Sequence, residues 1–262
     1  MRAAVDALSD MLARLKLTAM RDRLHGLLDE AARCDLSLRE TLAVLCPAEV
    51  SHREERRIQM GTGIAKFPHQ RTLEGFNFAA QPSLDAKQVR DLTVCRWATN
   101  GDALLIQGPP GVGETHLAIA LAREAIRHGY SVLFSPATSL VTTLVRGHAV
   151  GRLKQRLAQL AKPKLLIMDE FGYLPFAPAA AHLLFQLVSR RYERGSILIT
   201  SNRAVGDWGT VLGGQVVPTA ILDRLLHESH VLTIRGDSYR LREKRRSGLI
   251  KGTQAPASAG AS

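Results

Sequence analysis

The stretch Gly108-Pro109-Pro110-Gly111-Val112-Gly113-Glu114-Thr115 carries the densest chemistry in the chain. It follows the apolar run Ala103–Ile106 and opens a helical pattern from Leu117 to Ile126. Strand, glycine-rich turn and helix is the setting in which backbone N–H groups and a helix N-terminus surround an anion. The spacing matches the phosphate-binding pattern G-x-x-x-x-G-K-[ST] except at one position, where Glu114 stands in place of lysine. A lysine there neutralises nucleotide phosphates. At about 4 Å and an effective dielectric of about 20, one charge pair is worth about 4 kcal/mol. Glutamate removes that attraction and adds repulsion, but its side chain can swing away. The expectation is a net loss of a few kcal/mol, or Mg-ATP binding weaker by about a hundredfold or more.

A second stretch, Leu165-Leu166-Ile167-Met168-Asp169-Glu170, is an apolar strand ending in two acids. Adjacent strand residues point to opposite faces. One acid can therefore hold Mg²⁺ while the other reaches a water beside the terminal phosphate, the acid lying on a strand neighbouring the loop. A third strand, Ile197-Leu198-Ile199, ends in Thr200-Ser201-Asn202, and Asn202 could hydrogen-bond that water or the γ-phosphate. The fourth stretch, Ala220–Leu226, is an amphipathic helix exposing Arg224. Arginine can supply charge to phosphoryl transfer in cis or in trans; a surface cluster with Asp223 is the alternative.

These residues need a frame. From residue 103 apolar strand-like runs alternate with helical ones: Ala103–Ile106, Val132–Phe134, Leu165–Met168, Ile197–Ile199 and Val231–Ile234, with helices over 115–128, 138–147, 151–161, 179–194 and 219–227. Such alternation predicts a parallel sheet with helices on both faces, its ligand at the carboxyl ends of the strands. Ahead of it, residues 3 to about 65 read as helical. Leu8, Met11, Leu12 and Leu15 recur at helical spacing, and a second helix over Thr18–Arg33 turns Met20, Leu24, Leu27 and Leu28 inward. Ser37-Leu38-Arg39-Glu40 is a capping box opening a third helix with Leu38, Leu42 and Leu45. Pro47 should kink or end it, and Gly61 and Gly63 should loosen the backbone. Lys66–Phe78 is a boundary whose Leu73, Phe76 and Phe78 anchor onto the following domain, and Asp85–Thr99 reads as one helix. The division is a helical domain over 1–65, a nucleotide-binding domain over 66–250 and a low-complexity tail over 251–262.

Composition narrows the class. Hydrophobic residues make up 45% of the 262, enough for a globular core, and no apolar run approaches a membrane span. Aromatics are only 5%, which argues against a base-stacking platform. Net charge is +11, and with clustered arginines such as Arg53, Arg56 and Arg57 it points to a polyanion partner. Cys34, Cys46 and Cys95 form no C-x-x-C pair and read as buried free thiols in a reducing, cytoplasmic setting.

Taken in order, Gly108–His116, Leu165–Pro175, Leu183–Val188, Arg191–Arg194, Leu222–His227 and Ser238–Arg242 resemble the IstB-like ATP-binding proteins. These are AAA+ helpers encoded beside insertion-sequence transposases and related to bacterial replicative helicase loaders. The resemblance covers nearly the whole chain short of the tail. It implies a five-stranded AAA+ core behind a helical N-terminal domain. It implies ATP-dependent assembly into an oligomer on double-stranded DNA, and delivery of that DNA to a transposase. Gly108, Pro109, Pro110, Gly111, Val112, Gly113, Glu114, Thr115 and His116 would hold ATP, and Thr115 and Asp169 would hold Mg²⁺. Glu170, Asn202 and Arg224 would be catalytic, Arg224 reaching a neighbouring subunit, with an arginine of Arg240–Arg242 near the nucleotide. Glu114, Pro47, and Gly61 with Gly63 depart from the family pattern. A helicase loader and a non-hydrolysing DNA-binding scaffold are the competing readings.

Overall fold

The computed structural model describes residues 2–173, 175–212, 216–236 and 238–239. The chain divides into two compact units, Met1–Met60 and Gly61–Ser262. No helix among the described residues is long and apolar enough to cross a membrane.

The first unit is helical: α1 (Arg2–Arg14), α2 (Thr18–Arg33) and most of α3 (Leu38–Ala65). Leu12, Leu24, Leu27 and Leu45 form its small core, with Leu17, Met20 and Leu28 against it. A buried acid locks two of the helices. The Glu49 carboxylate accepts the N–H groups of Ala19 and Met20 at 2.9 and 3.3 Å, satisfying otherwise free donors in the first turn of α2. The capping box forms as expected: the Ser37 N–H donates to Glu40 at 2.8 Å and the Glu40 N–H to Ser37 Oγ at 3.3 Å.

Two expectations for this segment fail. Pro47 does not end the helix, because α3 runs through it. The carbonyl that loses its partner belongs to Ala43, and Ala43 and Pro47 are both exposed, so water can take the freed acceptor. Cys34 and Cys46 are exposed rather than buried, since the short bundle buries only a narrow stripe of its helices, Leu45 but neither Leu38 nor Leu42 on α3.

The second unit opens with the end of α3. Gly61 and Gly63 are helical rather than loosened, and a Cβ on Gly61 would lie 2.8 Å from Ile126 Cγ2, so glycine there serves close packing. A 3-10 turn at Phe78–Ala80 precedes α4 (Ala86–Thr93) and α5 (Arg96–Asn100). The single helix expected over Asp85–Thr99 is broken because Cys95 takes a left-handed conformation, φ +58°, and starts α5 anew.

Strand and helix then alternate: β1 (Ala103–Gln107), α6 (Glu114–Arg127), β2 (Val132–Pro136), α7 (Ala137–Ala149), α8 (Leu153–Ala161), β3 (Leu165–Phe171), α9 (Pro178–Arg191), β4 (Ser196–Ser201), α10 (Trp208–Val211), α11 (Val216–Leu226) and β5 (Ser229–Thr233). The five strands form one parallel sheet in the order β2-β3-β4-β1-β5. The apolar run places β5 at Val231–Ile234; its ladder to β1 begins two residues earlier, at Ser229 opposite Ala103. The central strands are buried on both faces, hence their unbroken apolar runs. One core of Leu105, Leu140, Leu166, Leu184, Ile199 and Trp208 with their neighbours fills a face of the sheet.

Buried Arg191, 1% exposed, ties this face together at its base. Its guanidinium donates to the carbonyls of Leu160, Pro163, Lys164 and Ser196 at 2.8 to 3.1 Å, joining α9, the α8–β3 turn and the start of β4. Burial pulls its pKa down to about 10, which leaves it charged at neutral pH.

Candidate nucleotide site

The loop after β1 is built by three glycines with separate jobs. Gly111 and Gly113 have φ of +85° and +109°, a region that side chains other than glycine rarely adopt. A Cβ on Gly113 would press on Phe76 at 2.8 Å, and one on Gly111 would run into Ser238. At Gly108 a Cβ would meet the Ile234 carbonyl at 2.6 Å. The loop carbonyls are held from behind: Gly111 accepts the Tyr239 N–H at 3.0 Å, and Val112 accepts the buried Gln81 amide at 3.0 Å. Successive residues of alternating hand make a concave backbone nest suited to anions.

That loop, the ends of β3 and β4 and the segment before β1 enclose a cavity of about 480 Å³. This is within the size range of small-molecule sites. Of the sequence-derived residues, Pro110, Gly111, Val112, Gly113, Glu114, Thr115, His116, Glu170 and Asn202 line it. Asp169 sits just behind, 5% exposed. Contrary to the neighbouring-strand expectation, β4 lies between β1 and β3. The link is made instead by Thr115 at the start of α6, whose hydroxyl donates to both Asp169 oxygens, at 2.9 and 3.2 Å.

Thr200 on the intervening β4 is a positioning residue that sequence reading passes over. Its hydroxyl donates to Asp169 Oδ1 at 2.6 Å and accepts the Glu170 N–H at 2.9 Å, so one side chain orders both acids. The register of β3 against β4 shifts between Met168 and Phe171, and Glu170 has a left-handed backbone, φ +59°. The result is a buried Asp169 beside an exposed Glu170 at the cavity. Burial raises the Asp169 pKa, against the lowering pull of hydrogen bonds from Thr200, Thr115 and the Glu170 N–H. Asn202 Oδ1 is buried without a hydrogen-bond partner among the described residues.

Glu114 does not swing out to solvent. Its Oε1 is buried and unpartnered among the described residues. Burial, then the charges of Asp169 and Glu170, raise its pKa to about 8, against a lowering backbone hydrogen bond from Gly108. At neutral pH it is therefore mostly a neutral acid. The repulsive half of the expected penalty shrinks, and the lost lysine attraction remains. Thr115 and Asp169 are the hard oxygen donors Mg²⁺ favours. Among the described residues no group of three or more His, Cys, Asp or Glu could hold a metal by itself. The donor set thus fits an ion that takes its other ligands from phosphate and water.

Several lining residues read from sequence only as boundary or anchor, or not at all: His69, Arg71, Phe76, Asn77 and Gln81 before β1, with Tyr173 and Tyr239. The His116 ring nitrogen lies 2.8 Å from the Thr72 carbonyl, and the Phe76 ring meets His116 edge-on at 5.3 Å, which pins this segment to the first turn of α6. Nothing local in the sequence announces a contact of 44 positions' separation. Arg224 stays outside the cavity. Its guanidinium stacks 4.8 Å over the Phe185 ring and donates to the Ala220 carbonyl at 3.2 Å. Arg240–Arg242 and the tail over 251–262 lie outside the described residues.

A β2-β3-β4-β1-β5 parallel sheet with a glycine loop after β1 and an acid pair ending β3 defines a P-loop protein of the AAA+ class. Solved structures agree on the fold. A DNA replication initiation factor superposes with a TM-score of 0.54 at 21% identity, over 70% of this chain and 54% of that one. AMPPCP-bound DnaA from Aquifex aeolicus gives 0.54 at 21% identity, over 72% and 59%. The chain belongs to the IstB-like ATP binding protein family, whose model matches residues 10–247. It is 42% identical over 248 residues to a protein of Pseudomonas aeruginosa named as a putative ATP-binding protein of insertion sequence IS21, covering 95% of this chain and 94% of that one. It is also 42% identical over 232 residues to the corresponding IS5376 protein of Geobacillus stearothermophilus, covering 88% and 92%.

Proposed function

We propose that the protein is an ATP-binding helper of an insertion-sequence transposase, which assembles on double-stranded DNA and presents that DNA for insertion. The observation that carries the reading is the Thr115–Asp169–Thr200 cluster set against a complete glycine loop, in a chain of this family. The loop from Gly108 to Thr115 binds the phosphates through backbone N–H groups and the α6 N-terminus. Thr115 and Asp169 would hold Mg²⁺, whose charge would offset that of the β- and γ-phosphates. Glu170 accepts a proton from the attacking water, and Asn202 orients that water or the terminal phosphate. Arg224 acts on the site of a neighbouring copy, which its distance from the cavity of its own chain favours.

Glu114 supports one competing reading, a DNA-binding scaffold that holds nucleotide weakly and does not turn it over. Replacing Glu114 with Lys separates the two. Calorimetric titration of Mg-ATP at pH 7 should show binding at least tenfold tighter in the variant, since a charge pair of about 4 kcal/mol is restored and shared with solvent. Hydrolysis should appear or rise with it. Equal, tight binding in both proteins would remove the electrostatic argument. Tight binding without hydrolysis in the variant would favour the scaffold.

A further inference from the structure

We propose that Arg71 is a phosphate-binding residue of the nucleotide site: its guanidinium, carried by the segment before β1, pairs with the phosphate chain that the glycine loop holds. The inference rests on the nucleotide-binding part of the function proposed above and adds a residue to that site.

The charge balance of the cavity calls for a cation. Glu114 and Glu170 line it, and Asp169 sits just behind. A nucleoside triphosphate adds several negative charges. A loop of this pattern sets a lysine beside them, and here Glu114 holds that position. Among the described residues, Arg71 is the one arginine or lysine lining the cavity. It is exposed and forms no ion pair among the described residues. The nearest acid along the chain, Glu74, is engaged elsewhere. Its pKa is lowered by its own backbone N–H, then by the Thr72 hydroxyl and the charges of Arg127 and Arg123, and Arg71 is not among the causes. No ion pair has to break when Arg71 meets an anion.

The segment that carries Arg71 is fastened to the phosphate loop itself. The Thr72 carbonyl lies 2.8 Å from a ring nitrogen of His116, the residue after Thr115. The Phe76 ring is so close to the loop that a Cβ on Gly113 would come within 2.8 Å of it. Gln81 donates its amide to the Val112 carbonyl at 3.0 Å. Arg71 is one Cα step, about 3.8 Å, from the anchored Thr72. It faces the same cavity as Gly111, Gly113 and Thr115, so its long side chain extends toward anions held on the N–H groups of the loop and the first turn of α6.

The residue type fits the task. A guanidinium stays charged at any working pH and can meet two phosphate oxygens with two parallel N–H bonds. The His116 ring is already committed to the Thr72 carbonyl. The competing account is a surface arginine that faces only water.

The test compares the full chain with Arg71→Met, which keeps an unbranched stem without charge, and Arg71→Lys, which keeps a charge. Each is also made in a Glu114→Lys background. Mg-ATP affinity is read by calorimetry at pH 7 and, for weak binding, by displacement of a fluorescent ATP analogue. Arg71→Met should weaken binding by about tenfold or more, the size of a hydrogen bond between charged groups. Arg71→Lys should lose clearly less, since only the second N–H bond goes. Urea midpoints should match the parent in both, because Arg71 is exposed. If Arg71→Met binds Mg-ATP as tightly as its parent, the residue is a solvated surface cation and this proposal falls alone. Equal losses in Met and Lys would mean that shape and not charge matters, which also overturns it. If neither the natural chain nor its Glu114→Lys form binds nucleotide, the ATP-binding reading falls as well.

Discussion

Glu114 is the residue on which the nucleotide chemistry turns. Its identity is plain in the sequence, but its condition is not. That condition depends first on burial and then on Asp169 and Glu170, which reach it only through the order of strands in the sheet. The raised pKa has two consequences of fixed sign. Between about 4.5 and about 8 the folded chain holds a proton that the unfolded chain has released, so stability falls as pH rises through that window and levels off above it. Glu114→Gln should flatten that part of the curve of urea midpoint against pH. Nucleotide affinity should fall over the upper part of the same window, because ionisation adds a carboxylate beside Glu170 and Asp169 at a cavity whose one lining arginine or lysine, among the described residues, is Arg71. Calorimetry at pH 6.5 and pH 9 should find weaker Mg-ATP binding at the higher pH for the natural residue and a smaller difference for glutamine. An equal fall in both proteins would assign the effect to another group.

At the scale of elements, the arginine at the end of α9 shows how helix, turn and strand are tied together at the base of the sheet. Four carbonyls from three segments depend on one buried guanidinium. Arg191→Lys supplies a single point of charge in place of a planar fork and cannot reach all four. The expected cost is about 3 kcal/mol, or a thermal midpoint lower by roughly 6 to 12 °C for a chain of this size. Differential scanning calorimetry checks it, and a shift under 2 °C would mean that water or lysine satisfies those carbonyls. The elements themselves are largely legible in the sequence. Five short apolar runs separated by helical patterns announce the sheet, and Ser37 with Glu40 announces the start of α3, because both signals are local. The breaks are misread where solvent or one backbone angle decides. Pro47 is carried by α3 because its orphaned acceptor faces water, and Cys95 splits a helix that periodicity joins. Strand adjacency carries no local signal, so Thr200, the link between the two acids, is hidden in a polar strand end.

For the molecule as a whole, the position of Arg224 bears on assembly. Its stacking on Phe185, outside the cavity of its own chain, fits the proposed role on the site of a neighbouring subunit. In a Glu114→Lys background, Arg224→Ala should abolish turnover and leave ATP affinity nearly intact. Mixed with a Glu170→Gln form of the same background, it should recover part of the activity, since each protein supplies what the other lacks. No recovery in mixtures that co-assemble by light scattering would rule out action between subunits. The +11 charge of the whole chain sets the expectation of a polyanion partner, but a net charge has no address.

The left-handed backbone at Glu170 has a cost that selection for folding alone would remove. A side chain in that region is less stable than glycine by about 1 kcal/mol or more. Glu170→Gly should therefore raise the thermal midpoint by a few degrees while removing the proposed proton acceptor. Such a variant would be sturdier and inert, the reverse of the usual damage done by mutation. If calorimetry instead finds it less stable, the Glu170 side chain contributes to folding as well as to the cavity.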